Sequence, residues 1–251
     1  ASVDAVDLKN AIIHMYPWQT SNGIRWEIDK STATLRISGE GELTENWWKN
    51  YPEHYSRVVI EEGVTAIGDD VFNGDTNIED LSLPGSLTKI GDRAFKNCTN
   101  IFSVYIPENT TSIGAEAFKG CTGIVTVEFQ GNSAVTIGDE AFYGLSNSSS
   151  VEISENITYF GDRAFYQCPG LTKVTIGPDV TYMGENAFYF CRNLCDYYVP
   201  DLVTWLRYSA SFRGPAQKTI YIDGEPLTEL TLPSGASVDD YVFQNCITLT
   251  R

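Results

Sequence analysis

A solenoid built from copies of one short unit is the fold this sequence predicts, on three observations. A hydrophobic residue, Gly, two variable residues, a small residue and Phe recur six times. The copies run from Ile67-Gly68-Asp69-Asp70-Val71-Phe72, through those ending at Phe95, Phe118, Phe142 and Phe165, to Met183-Gly184-Glu185-Asn186-Ala187-Phe188. Their glycines are 23, 23, 24, 23 and 23 residues apart, a period that means one supersecondary unit stacked on itself. Ahead of each copy lies a Leu-x-x-Val-x-Ile run, clearest at Leu171-Thr172-Lys173-Val174-Thr175-Ile176, whose alternate residues face one side of a strand.

Taken in chain order, Trp26-Glu27-Ile28 and the run from Leu35 to Gly41 read as two strands around Asp29-Lys30-Ser31. Such a hairpin would close the open end of the sheet, because an end unit must cover its exposed face. The repeat strands then send Val58 and Ile60, Leu81 and Leu83, Val104 and Ile106, Val127 and Phe129, Val151 and Ile153, and Val174 and Ile176 into a shared interior. Pro84, Pro107 or Gly177 ends each strand, and the Ile-Gly step makes a second short extended stretch with a tight backbone. Asp69, Asp92, Asp139 and Asp162 stand where they would cap a brief helical turn that carries the Ala-Phe pair inward.

Beyond the sixth copy the register breaks. Gly184 and its counterpart Asp239 are 55 residues apart, about nine more than two repeats need. Pro200 to Arg207 predicts a short helix with proline and aspartate at its start. Thr219-Ile220-Tyr221-Ile222 leads through Asp223-Gly224 toward a further strand, Leu227 to Pro233, and the turn either makes a hairpin or links two rungs. The motif recurs from Val238 to Cys246, and the sequence ends as the next strand would begin, so continuation of the natural protein is expected. Three regions follow: residues 1–55 as an N-terminal segment and hairpin cap, 56–200 as repeats, and 201–251 as an interruption followed by a further, incomplete repeat.

Composition excludes several classes. Seventeen basic against 33 acidic residues give a net charge of −16, which repels nucleic-acid phosphates and anionic lipid and suits cationic partners, or simply keeps an elongated chain soluble. No apolar run reaches the roughly 18 residues a membrane span requires. The start, Ala1-Ser2-Val3-Asp4, lacks the basic and apolar features of a secretory signal. Cys98, Cys121, Cys168, Cys191 and Cys246 each follow the motif Phe by three residues. They form a column whose parallel side chains disfavour disulfides and whose lack of nearby histidine disfavours metal. Because Asp75 and Leu145 occupy the same slot, buried free thiols filling a modest-sized site are expected. With histidine only at positions 14 and 54, and no metalloprotease, nucleophile-elbow or phosphate-loop motif, no catalytic residue, metal or cofactor is assigned. The glycine-aspartate nonapeptide of calcium-binding rolls is also missing.

The Leu-x-x-Val-x-Ile run matches the strand pattern of leucine-rich repeats. Together with Ile-Gly-x-x-Ala-Phe-x-x-Cys, at fixed spacing over about residues 56 to 200 and again at Val238 to Cys246, it resembles the BspA-like leucine-rich repeats of bacterial surface antigens. The expected fold is a leucine-rich repeat solenoid: a right-handed α/β-type coil of mainly short parallel strands with short helical turns, in about seven to eight repeats of 23 residues. The resemblance implies an exported protein, secreted or displayed on the cell. Some members are described as adhesins, which implies a protein partner such as a host matrix protein.

Without catalytic motifs, the surface is where function is sought. Outward residues of a solenoid sheet form rows on its concave side. The central row is Val59, Ser82, Tyr105, Glu128, Glu152, Thr175 and Tyr198, and Lys173 stands in the row beside it. Phe102, Tyr105, Glu128, Glu152, Lys173, Thr175 and Tyr198 are the candidate protein-binding residues, although Thr and Ser in such rows also serve simply as good strand formers. Trp47, Trp48 and Tyr51 offer an alternative glycan site, or aromatic packing beneath the cap. A rigid spacer between other domains is the third alternative. The chain is expected to act as a monomer.

Overall fold

The computed structural model describes residues 18–19, 23–50, 54–148, 150–152, 156–212, 217–229, 242–243, 246 and 248. Tyr51, Ile153, Leu230 to Pro233 and most of the last motif copy lie outside them. Each motif rung of the solenoid contributes one strand to a front sheet, one to a back sheet and one turn to a third face. The front strands begin with an antiparallel hairpin, Arg25–Asp29 and Thr34–Ser38. They continue in parallel as Arg57–Ile60 and Asp80–Ser82, then Ser103–Ile106, Thr126–Phe129 and Ser150–Glu152, then Lys173–Thr175, Asp196–Val199 and Thr219–Ile222. The back sheet holds seven strands in rung order, from Gly41–Leu43 through Val64–Ile67, Lys89–Ile90, Ser112–Ile113, Val135–Ile137 and Ile157–Phe160 to Tyr182–Met183. Alternation explains the front strands: Val104 and Ile106 are buried while Tyr105 between them is exposed.

The hairpin closes the sheet as the sequence indicates, and Trp18–Gln19 adds one further antiparallel strand outside it. Its second strand already belongs to the coil. Thr34–Ser38 pairs in parallel with Arg57–Ile60, and Gly41–Leu43 pairs with Val64–Ile67, so both sheets start upstream of residue 56.

The third face departs from the helical turns expected. It consists of hydrogen-bonded turns in which Asp70, Arg93, Glu116, Glu140, Arg163 and Asn186 take φ of 54–60°, a left-handed step that a helix does not contain. The step turns alternate amides along the stack. Phe72, Phe95 and Phe118 donate their N–H to the carbonyls of Ala94, Ala117 and Ala141 on the next rung, at 2.7–2.8 Å. The aspartates correspondingly cap no helix of their own. Asp69 accepts from the N–H of Asp92, Asp92 from Ala115, Asp139 from Asp162 and Asp162 from Glu185, each at 2.8 Å. Each carboxylate thus clamps the following rung, and the run is interrupted where Ala115 supplies no oxygen. The motif glycines are needed for a related reason. A Cβ on Gly114 would lie 2.6 Å from the Asp92 amide nitrogen and 2.6 Å from the Gly91 carbonyl carbon, closer than two rungs can stand.

A single stack of rings runs through the interior. Phe72, Phe95, Phe118, Phe142, Phe165 and Phe188 follow one another at 5.0–5.4 Å with planes within 10° of parallel. Each buried Phe stabilises the fold by about 1.5–3 kcal/mol, with about 0.5–1.5 kcal/mol more for each well-placed ring pair. The stack ends on tryptophan at both sides. Trp48 lies 5.2 Å from Phe72, and Phe188 continues through Phe212 at 5.2 Å to Trp205 at 5.5 Å. Beside Trp48, buried Tyr55 donates its hydroxyl to Asp75, and Lys49 Nζ donates to the Asn73 carbonyl at 2.9 Å.

The cysteines are free and, from Cys98 to Cys191, buried. Sulfur nevertheless has a use in that slot, against the expectation that size alone matters. Cys98, Cys121, Cys168 and Cys191 donate their thiols to the carbonyls of Phe72, Phe95, Phe142 and Phe165 at 2.9–3.1 Å. Burial pushes the Cys121 and Cys168 thiols well above their ordinary range, so these thiols stay protonated and unreactive.

At the far end the helix forms at Leu202–Tyr208, with Asp201 accepting from the Thr204 N–H at 2.7 Å. It is less an outgrowth than a substitute rung. Trp205 and Phe212 are buried, and Ser211 accepts the Phe188 N–H at 3.3 Å where another motif turn would. The Asp-Gly alternative resolves to a hairpin, Thr219–Ile222 against Glu225–Pro226, with φ of 51° at Asp223 and 82° at Gly224. Both the substitute rung and the hairpin fall in the interval between the last two motif copies.

Candidate binding surface

The front sheet displays its outward residues in the register read from the sequence. Tyr105 and Glu128 are directly opposed partners on adjacent parallel strands, and Glu152 opposes Glu128 on the next. Adjacent strands lie about 4.8 Å apart, so the Tyr105 and Glu128 side chains share one patch. Phe102 enters the same rung at its edge and is 63% exposed, while Tyr105 is 45% exposed. Among the described residues neither ring contacts another ring or lies under a cation, and Glu128 is in no ion pair.

Lys173, Thr175 and Tyr198 form a different arrangement three to four rungs further on. Lys173 opposes Asp196 and Thr175 opposes Tyr198. Lys173 Nζ lies 4.7 Å from the Tyr198 ring centre, and Tyr198 stacks on Tyr221 at 4.2 Å with planes 4° apart. Loss of solvent, and after it the neighbouring Asp196 carboxylate, raises the Tyr221 phenol above its ordinary range. Tyr221 belongs to this group and was missed, although its 23-residue offset from Tyr198 would have placed it in the same row. Apart from Glu152, which is placed by register alone, the candidates therefore fall into an open cluster around Tyr105 and a self-satisfied one around Tyr198.

The glycan alternative loses its centre. Trp48 is fully buried as the terminal ring of the stack, and Tyr51 is outside the described residues, which leaves Trp47, 52% exposed, as a single ring.

Much of the third face is internally compensated. On the third face Arg93 binds Asp70 through two bonds of 2.9 and 2.7 Å; Lys96 and Lys119 hold Glu116 at 2.6 and 2.7 Å; Lys119 and Arg163 share Glu140. These contacts hold the carboxyls of Asp70, Glu116 and Glu140 below their ordinary range, chiefly through hydrogen bonds from the paired cations. Tyr143 and Tyr166 on this face, and Tyr159 and Tyr182 on the back sheet, stack in pairs at 5.0 and 4.8 Å. Among the described residues no group of three His, Cys, Asp or Glu is placed to hold a metal ion, and no helix is long and apolar enough to cross a membrane.

Comparison with known proteins agrees with this geometry. The structure is similar to a leucine-rich repeat protein of T. pallidum, with a TM-score of 0.51 at 19% identity over 78% of this chain and 98% of that one. It is also similar to the pneumococcal vaccine antigen PcpA, with a TM-score of 0.50 at 13% identity over 93% of this chain and 80% of that one. Comparison with curated protein sequences gives no match. The BspA type leucine rich repeat region matches residues 50–134 and 127–250 in six copies, and the chain belongs to that family.

Proposed function

We propose that this chain is a noncatalytic recognition module of a secreted or cell-surface protein, and that it binds a protein partner, such as a host matrix protein, through the front sheet at Phe102, Tyr105 and Glu128. One observation carries the choice of surface. Of the large exposed aromatic side chains, Tyr159, Tyr182 and Phe190 rest against neighbouring rings, whereas Trp47, Phe102 and Tyr105 do not. Among the described residues, Phe102 and Tyr105 share a rung, and Glu128, which is in no ion pair, stands opposite Tyr105. An aromatic anchor beside charge is the composition of an interface centre. The family supports a repeat scaffold whose extended surface engages large partners.

Titration of the purified chain against immobilised matrix proteins and a glycan panel tests this. The expected result is binding to a protein that is lost in Tyr105→Ala combined with Glu128→Lys and kept in Trp47→Ala. Loss in Trp47→Ala alone, with a glycan as ligand, would transfer the site to the N-terminal end. Binding to neither panel would favour the rigid-spacer reading.

A further inference from the structure

The chain contains its own example of what the open cluster lacks. Lys173 lies over Tyr198, one rung on and one column across, and its partner position is occupied by the Asp196 carboxylate. Lys119 does the same to Tyr143 on the third face, at 5.1 Å, with Glu140 as its ion partner. At Lys119 a tyrosine face and a carboxylate share one ammonium, and at Lys173 the ring holds the ammonium with the Asp196 position opposite in register.

Tyr105 stands in the same row as Tyr198, so the repeat register puts Asp80 where Lys173 stands. Asp80 is itself held by Arg57 at 3.2 Å. On the other side come Glu128 and, in the next register position, Glu152. Further along the front sheet, Lys173 is turned the opposite way, over Tyr198. An exposed ring is thus bordered by acidic positions on both sides, with no cation among the described residues placed over it, in a protein of net charge −16. The ring's negative face and the carboxylate both attract a positive charge, and the chain's overall field favours its approach.

We infer that the front-sheet cluster is a receptor for a lysine or arginine side chain of a protein partner, seated between Tyr105 and Glu128, with an apolar neighbour of that residue against Phe102. This rests on the protein-binding reading above and adds the chemistry of the ligand. The cation would repeat, between molecules, the contact that Lys173 and Tyr198 make within one. Phe102, at the rung edge, supplies the apolar contact that sets such a partner apart from a free amine.

Selection of a random twelve-residue peptide library on the immobilised full chain tests both levels. The variants are Tyr105→Ala, Glu128→Gln and, as a neutralised carboxylate several rungs away, Glu229→Gln, each shown by thermal unfolding to remain folded. The expected clones carry Lys or Arg next to an aliphatic or aromatic residue. They lose about tenfold or more in affinity on Tyr105→Ala and on Glu128→Gln, and change by less than about twofold on Glu229→Gln. Their affinity also falls with added salt, and falls when the lysine is acetylated. Clones sensitive to Tyr105→Ala but free of basic residues, or indifferent to Glu128→Gln, would overturn the inference and leave the front-sheet site standing. A selection with no clone sensitive to Tyr105→Ala would overturn both.

Discussion

The interior of this molecule and its front sheet are made by the same repeat and follow opposite rules. Inside, the six motif rungs say nearly the same thing: a Phe at one height, an Ala or, at position 71, a Val beside it, and a thiol or its substitute three residues later. Outside, the central row reads Val59, Ser82, Tyr105, Glu128, Glu152, Thr175 and Tyr198, five residue types in seven positions. Uniformity is required where each ring must meet the next at about 5 Å. Where nothing inside the chain constrains a position, its residue is free to serve something outside. The two clusters on the front sheet sharpen this point. Tyr198 is used up by Lys173 and Tyr221, while Tyr105 is in the same row and, among the described residues, no ring or cation rests on it.

The comparison is tested first where the expected effect is largest. Phe118→Ala opens a cavity in the middle of the stack and is expected to cost about 3–5 kcal/mol in denaturant unfolding; a cost below about 1 kcal/mol would mean the stack is dispensable. Gly114→Ala is expected to cost about 1–3 kcal/mol, because its Cβ must force two rungs apart. Asp92→Ala removes the acceptor of the Ala115 N–H and is expected to cost about 1 kcal/mol, whereas Ala115→Asp, which fills the break in the clamp, is expected to gain about 0.5 kcal/mol.

A smaller effect should be seen on the ion-paired face. Because Lys119 and Arg163 hold the Glu140 carboxyl below its ordinary pKa, that group contributes stability above the unfolded-state glutamate value of 4.5 and loses it as pH falls through the lower folded value. In Glu140→Gln, unfolding midpoints measured across that acid window should fall less steeply with decreasing pH. An unchanged slope would show the network to be inert. Smallest of all, Tyr105→Ala should change stability by no more than about 0.5 kcal/mol, since its ring supports no other side chain.

Much of the fold was legible because a repeated pattern needs only one unit to be understood. Alternating Val and Ile named the inward positions, and the 23-residue step placed Tyr105, Glu128 and Glu152 in one register before any coordinates. Misreadings occurred where a side chain acts on the neighbouring rung. Asp92 looks like a helix cap in one dimension but bonds to Ala115, and Cys121 looks like filler but donates to Phe95. The substitute rung was missed for another reason: Phe212 lies 24 residues after Phe188, in step with the ladder, but of the other motif residues only the small one, Ser211, accompanies it. At the site, sequence ordered the row but could not tell an occupied tyrosine from an open one. That distinction depends on where Lys173 directs its ammonium, and a rotamer is not written in a period.

The most direct measurement compares two quantities on one variant, Tyr105→Ala combined with Glu128→Lys: the thermal unfolding midpoint, and the affinity for a protein bound by the unsubstituted chain. A midpoint shifted by less than about 4 °C with binding lost is the expected result. Binding retained at full strength, or lost only together with the fold, would contradict the division between a uniform core that stabilises and an open row that recognises.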